Sequence, residues 1–231
     1  VTTTLLATKA PVVVAPAMNT GMYDNPVTQD NLAALRKRGL HIIEPDAGHP
    51  ARGHSGRGKL PDTPTLLWGI EKALTEQDLA GRHVLVTAGP TQEAMDPVRF
   101  LSNHSTGKMG YAIAARAAMR GADATLVSGP TALDTPHGVT RVDIVSARDM
   151  YDAVTSRAPE QDFIIKAAAV GDYRPAQTAD EKLKKGDGEM NIELTRNPDI
   201  LAALGKDKKP GQLLCGFAME TQNLLDNAES K

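Results

Sequence analysis

Short β-branched runs alternate along the chain with segments whose apolar residues recur every three or four positions. The run VVVA at 12–15, closed by Pro16, reads as a buried parallel strand. Residues 30–38 (DNLAALRKR) follow with helical spacing at Leu32 and Leu35, and Gly39 stands where a helix ends. HII at 41–43 is a second short strand. Residues 45–62 carry four Gly and three Pro without periodicity and read as one long loop. A second helix is predicted over 64–74, with Pro near its start.

Polar residues 75–81 separate this part from a fresh series. Strands are predicted at 84–87, 124–128, 163–167 and 213–215, and helices at 111–120, 147–157 and 198–204. Strand and helix in alternation predict an α/β fold with a parallel sheet and helices on both faces. The pattern divides the chain into two domains, 1–76 and 77–231.

Composition narrows the function classes. The chain of 231 residues is 41% hydrophobic and 23% charged, with a mean hydropathy of −0.30. With one Trp, four Tyr and three Phe, its core must be built from Ala, Val, Leu and Ile. A net charge of −2 and a pI near 6.3 argue against a nucleic-acid binder, which shows a strongly basic face. Its apolar runs fall short of the roughly 20 residues of a membrane span. A single cysteine, Cys215, excludes an internal disulfide framework and fits a reducing, cytoplasmic setting. The chain opens at Val1 without Met or signal character.

The candidate chemistry gathers after the strand at 84–87. The loop that follows runs roughly 18 residues, against about 2–6 for most strand-to-helix connections. In a doubly wound sheet that position, at the carboxyl end of a strand, is where ligands bind. Its SNHSTGKMG stretch (102–110) offers hydroxyls, amides and glycines just before a helix, a setting suited to phosphate. It matches neither common phosphate-loop fingerprint, and a capped, solvated loop is the plainer reading.

The wider string VTAGPTQEAMDPVRFLSNHSTGKMGYAIA (86–114) closely resembles the ligase domain of the bacterial phosphopantothenate–cysteine ligase / phosphopantothenoylcysteine decarboxylase family of coenzyme A biosynthesis. AAAVGDYRP (167–175), EKLKK (181–185), NPDIL (197–201) and GFAMET (216–221) match the same family in order. The resemblance implies CTP-dependent joining of 4′-phosphopantothenate to cysteine through an acyl-cytidylate, with Mg²⁺. It implies that Asn103 holds the acyl-cytidylate, Arg99 binds a carboxylate or phosphate, and Lys182 belongs to a flap over the triphosphate. It further implies nucleotide contacts from Asp172, Pro198, Asp199, Ile200, Leu201 and Phe217, and from the stretch Lys166, Ala167 and Ala168. Lys166 departs from the small or apolar residues commoner there. No cluster of metal-ligating side chains is read in the sequence.

PAMN (16–19) and the following GMYDNPVTQDNLAALRKRGL resemble the family's FMN-dependent decarboxylase half, in which Asn19 would bind the substrate carboxylate. The string ARGHSGRGK (51–59) corresponds to a loop whose cysteine donates a proton in that family. Arg52 stands in its place, and arginine stays charged near neutral pH. His54, with an ordinary pKa near 6.5, is the nearby candidate to substitute. Against the family pattern, both domains are Rossmann-like or flavodoxin-like three-layer units, the first truncated at its N-terminus and the second at its C-terminus. The resemblance also implies a homo-oligomer of ligase dimers and decarboxylase trimers, up to a dodecamer. The competing reading is a catalytically incomplete piece that serves only as an oligomerisation scaffold. A dehydrogenase reading lacks a glycine fingerprint after residue 87.

Overall fold

The computed structural model describes residues 2–48, 56–185 and 188–219. The chain divides into two compact units, Val1–Asp78 and Leu79–Lys231.

The first unit runs α1 (Thr2–Ala7), β1 (Val13–Val14), α2 (Thr20–Tyr23), α3 (Pro26–Lys37), β2 (His41–Ile42), β3 (Asp46–Gly48), β4 (Gly56–Lys59) and α4 (Thr63–Leu74). Strands β1 and β2 pair in parallel, with Val13 opposite His41. Helix α3 begins four residues earlier than its apolar spacing suggests. Asn25 caps it by accepting the Val27 N–H at 2.9 Å, and Pro26 supplies the fixed φ favoured at a first helical position. The stretch read as one long loop contains an antiparallel pair, β3 and β4. Tyr23 and Leu32 are buried, and Glu44 accepts hydrogen bonds from the Tyr23 hydroxyl and from Arg36.

The second unit is the doubly wound one. Its elements are β5 (His83–Ala88), β6 (Gln92–Ala94), β7 (Phe100–Ser102), α5 (Lys108–Met119), β8 (Asp123–Ser128), β9 (Val139–Asp143), α6 (Ala147–Arg157), β10 (Phe163–Lys166), β11 (Tyr173–Pro175), β12 (Leu194–Arg196), α7 (Ile200–Lys206) and β13 (Leu213–Gly216). Five of these strands form one parallel sheet in the order β13-β10-β5-β8-β9. Strand β5 is central and buried from Val84 to Ala88, so it reads as a continuous apolar run rather than an alternating one. Val84, Val86 and Ala88 face the alanine-rich side of α5, with Ala114, Ala117 and Ala118 beneath them. Leu85 packs into the opposite layer with Met150 and Val154 of α6 and Ile200 and Leu204 of α7. The result is three layers, helix on sheet on helix.

Several elements were not expected from the sequence. β9 completes one edge of the sheet, β6 pairs with β7 inside the long first loop, and β11 pairs with β12 beyond β10. Helix α7 starts at Ile200 rather than Pro198, because Asp199 is its cap and accepts the Ala202 N–H at 2.9 Å. Among the described residues, no helix is long and apolar enough to cross a membrane.

Candidate functional site

The strand order reverses between β5 and β10. Chain leaving β5 moves toward β8 and β9, whereas chain leaving β10 moves toward β13, so a crevice opens at their carboxyl ends. Close backbone approach builds its floor. The Ala169 N–H donates to Gly89 O at 2.9 Å, and the Thr91 N–H donates to Ala169 O at 3.2 Å. Glycine is required at this corner. A side chain on Gly110 would lie 2.6 Å from Ala88 Cβ, and one on Gly129 would collide with the Pro90 carbonyl. Gly107, the cap residue of α5, holds φ at +74°, where a Cβ is strained.

A cavity of about 460 Å³ occupies the β10 and β13 side of this crevice. Lys166, Ala168, Asp172, Pro198, Asp199, Ile200, Leu201 and Phe217 all line it. Ala167 does not; its N–H donates to Thr87 O, within the sheet. Burial pushes the Lys166 ammonium below the ordinary lysine value, while the charges of Asp199 and Asp172 partly restore it. Phe217 is 54% exposed, so it serves as an open wall and not as core. Its N–H donates to Lys166 O at 3.1 Å and continues the β10–β13 ladder by one residue.

The outer wall is the β11–β12 pair, and Asn197 locks it. Asn197 Nδ2 donates to Gly171 O at 2.8 Å, its N–H to Asp172 O at 2.8 Å, and its Oδ1 accepts from Arg174 Nη1 at 3.1 Å. Asn197 and Arg174 build the site without any local sequence signal for that role. An asparagine before proline is a turn signal, but its partners lie 23 to 26 residues away.

Asn103, Arg99 and Lys182 sit differently. Asn103 is exposed after β7 and donates to Ala169 O at 3.3 Å, which brings its amide to the rim between Ala168 and Val170 of the cavity wall. Arg99, expected to present an open fork to an anion, is engaged. Its Nε and Nη2 donate to Asp96 Oδ2 at 2.9 and 2.6 Å, and Nη2 also donates to Leu183 O at 2.6 Å. Lys182 is exposed beside that cluster and outside the cavity wall. Burial works against ionisation of Asp96, but Arg99 and three backbone N–H groups outweigh it and hold the carboxyl well below the usual carboxylate range.

In the first unit, Asn19 Oδ1 caps α2 by accepting the Gly21 N–H at 2.9 Å. Met18, next to it, donates its N–H to Gly58 O at 2.9 Å. His54 and Arg52 lie outside the described residues. Among the described residues, no group of three or more His, Cys, Asp or Glu side chains is arranged to hold a metal ion.

Comparison with protein families decides the affiliation: residues 79–231 match the DNA/pantothenate metabolism flavoprotein C-terminal domain. The chain belongs to the DNA/pantothenate metabolism flavoprotein family. Residues 1–75 match a second model, Flavoprotein. The coenzyme A biosynthesis bifunctional protein CoaBC of Vibrio vulnificus is 47% identical over the whole chain, and that of Bacillus subtilis 48%. The chain spans 58% and 57% of the length of these two relatives. Among solved members of the family, the C-terminal domain of a CoaBC protein superposes with a TM-score of 0.59 at 48% identity, over 68% of this chain and 74% of the other. A Streptococcus pneumoniae DNA/pantothenate metabolism flavoprotein gives 0.56 at 26% identity, over 65% and 76%. Family members thus share the three-layer architecture of the second unit.

Proposed function

We propose that residues 77–231 form the ligase part of a coenzyme A biosynthesis enzyme. They would activate the carboxylate of 4′-phosphopantothenate with CTP and pass it to cysteine. A carboxylate oxygen attacks the α-phosphorus of CTP, forming the acyl-cytidylate and expelling pyrophosphate. The cysteine amine then attacks the acyl carbon, loses a proton and expels CMP. The observation that carries this reading is that Lys166, Ala168, Asp172, Pro198, Asp199, Ile200, Leu201 and Phe217 line one cavity, with the Asn103 amide at its rim.

The roles follow from the side chains. Phe217 offers a ring face to a base, Asp172 accepts from a ribose hydroxyl or an exocyclic amine, and Asn103 donates to the acyl or phosphoryl oxygen as charge develops. Lys182 supplies positive charge to the triphosphate. Mg²⁺ would arrive with CTP, held mainly by phosphate oxygens and water, as that ion commonly is.

On the same reading, residues 1–76 are part of a decarboxylase domain, and the flavoprotein match supports FMN in the longer relatives. In this unit Asn19 and Asn25 each accept one backbone N–H as caps of α2 and α3. The proposal includes a cytoplasmic homo-oligomer, to be checked by light scattering.

The test is pyrophosphate release from CTP. Release that requires 4′-phosphopantothenate, with 4′-phosphopantothenoylcysteine appearing once cysteine is added, supports the ligase. A protein that assembles but releases no pyrophosphate under these conditions is instead the silent scaffold.

A further inference from the structure

Asp96 lies outside the cavity, and its side chain is 0% exposed. Its carboxylate accepts five hydrogen bonds. Oδ1 takes the N–H groups of Val98 and Arg99, each at 2.8 Å. Oδ2 takes Nε and Nη2 of Arg99 at 2.9 and 2.6 Å, and the N–H of Leu183 at 3.1 Å. A turn after an aspartate needs only the first two. The Leu183 bond comes from 87 residues away, and Arg99 Nη2 returns to the same residue by donating to Leu183 O at 2.6 Å. Both backbone groups of Leu183 therefore end on one carboxylate–guanidinium pair.

The neighbouring chain repeats the attachment. The Ala179 N–H donates to Met95 O at 3.0 Å, and the Thr178 hydroxyl donates to Ala94 O at 3.2 Å. Residues 178–183 thus run beside 94–96 and are held at Thr178, Ala179 and Leu183. The Leu183 attachment is charge-assisted, which makes it the strong one. Lys182 is exposed immediately before it.

We propose that Asp96 is a positioning residue: together with Arg99 it clamps the Leu183 peptide and so fixes where the chain presents the ammonium of Lys182 to an anionic substrate group. The proposal rests on the ligase reading of the second unit. Holding the backbone next to a flexible lysine lowers the ordering cost of using it. Losing the clamp therefore weakens capture of the triphosphate and leaves the bond-making step largely unchanged. The same pair gives Arg99 a fixed orientation, so Arg99 acts here through Leu183 as well as through any anion it meets.

Hydrogen–deuterium exchange on the ligand-free protein tests the clamp without any substrate. In Asp96→Asn the Leu183 amide should exchange at least about 10-fold faster, the weight of one hydrogen bond to a charged group. Amides of Leu85 and Val86 in the central strand should keep their rates. Unchanged Leu183 exchange, or central-strand amides accelerating in step with Leu183, overturns the proposal, because Asp96 would then be idle or merely structural. If Asp96→Asn does not fold, Leu183→Pro removes the donated N–H, together with the leucine side chain, and its ring also restricts the backbone at Lys182 and at position 183. It should raise KM for CTP about 10-fold with kcat within about twofold, and an unchanged KM overturns the proposal. Absence of turnover in the unaltered protein counts against the ligase reading, and the exchange rates then judge the clamp alone.

Discussion

The hydroxyl of Thr91 accepts the backbone N–H of Gly171 at 2.9 Å, joining two loops that lie 80 residues apart in the chain. Thr91 is 1% exposed, and its own carbonyl accepts the Ser102 hydroxyl at 2.7 Å. One buried side chain thus ties the loop carrying Asn103 to the loop carrying Asp172. Replacing it with valine keeps the shape and deletes the acceptor. Thr91→Val should cost about 1 kcal/mol, the usual net worth of a hydrogen bond whose donor is only partly buried. Urea unfolding reads this as a lower midpoint at unchanged slope; an unchanged midpoint means that the two loops are not held by this bond.

Phe217 and Asn103 should separate binding from stability. Both are exposed, so Phe217→Ala and Asn103→Ala should each shift stability by less than about 1 kcal/mol. A base stacked on an aromatic ring gains about 1–3 kcal/mol. Phe217→Ala should therefore weaken CTP binding by about 10-fold to 100-fold in calorimetric titration. Asn103→Ala should leave CTP affinity nearly intact and slow product formation by about 100-fold to 1000-fold, as loss of one preorganised donor does. Normal turnover in Asn103→Ala removes that residue from the chemistry.

The glycines of the crevice floor differ from those at surface turns. Gly81 holds φ at +76° with nothing within 4 Å of where a Cβ would stand, so Gly81→Ala should cost only about 1–2 kcal/mol of backbone strain. A methyl on Gly129 meets the Pro90 carbonyl, and the backbone itself must move. Gly129→Ala should cost at least about 3 kcal/mol and sharply reduce the yield of folded protein. Equal melting temperatures for the two variants contradict the packing described for this corner.

Acid sensitivity should come from aspartates. Asp96, Asp149 and Asp162 are all held below their ordinary values. At Asp149 burial opposes ionisation and the Ser146 hydrogen bonds overcome it, while at Asp162 the His83 N–H leads. A carboxyl depressed in the folded state contributes stability above its unfolded value, about 3.9, and loses it as the pH falls through the folded value. Stability from these groups should be flat between about pH 7 and 5 and should fall below about pH 4. Asp96→Asn should make the acid branch shallower in urea titrations at several pH values. An identical acid branch in the variant assigns the acid response to other groups.

The parallel sheet was legible because strands covered on both faces are unbroken apolar runs: VLVT, ATLVS and FIIK stand out from their surroundings. VTRVD of β9 was not, since this edge strand has no fully buried residue and its two Val are separated by Thr and Arg, which leaves no core signature. β11 and β12 have no local signal, because Arg174 and Asn197 hold them together across more than 20 residues. The start of α3 could have been read from Asn25-Pro26, a cap followed by a favoured first residue. At the site, family motifs named many of the cavity-lining residues, whereas the bond from Arg99 to Leu183 O, 84 residues downstream, has no trace in spacing.

The order of the sheet also sets a sequence of events in time. Val84 pairs with Ala124 across one crossover, but its other neighbour, Phe163, arrives 79 residues further along the chain. Each doubling of a closing loop adds only about 0.6 kcal/mol of entropy, yet pairings so distant slow folding into roughly the millisecond-to-second range. The half built from β5, α5 and β8 can form first. The cavity needs β10, α7 and β13 in place, so a chain emerging from synthesis acquires it late, after the layer of α5 on β5 and β8 has formed.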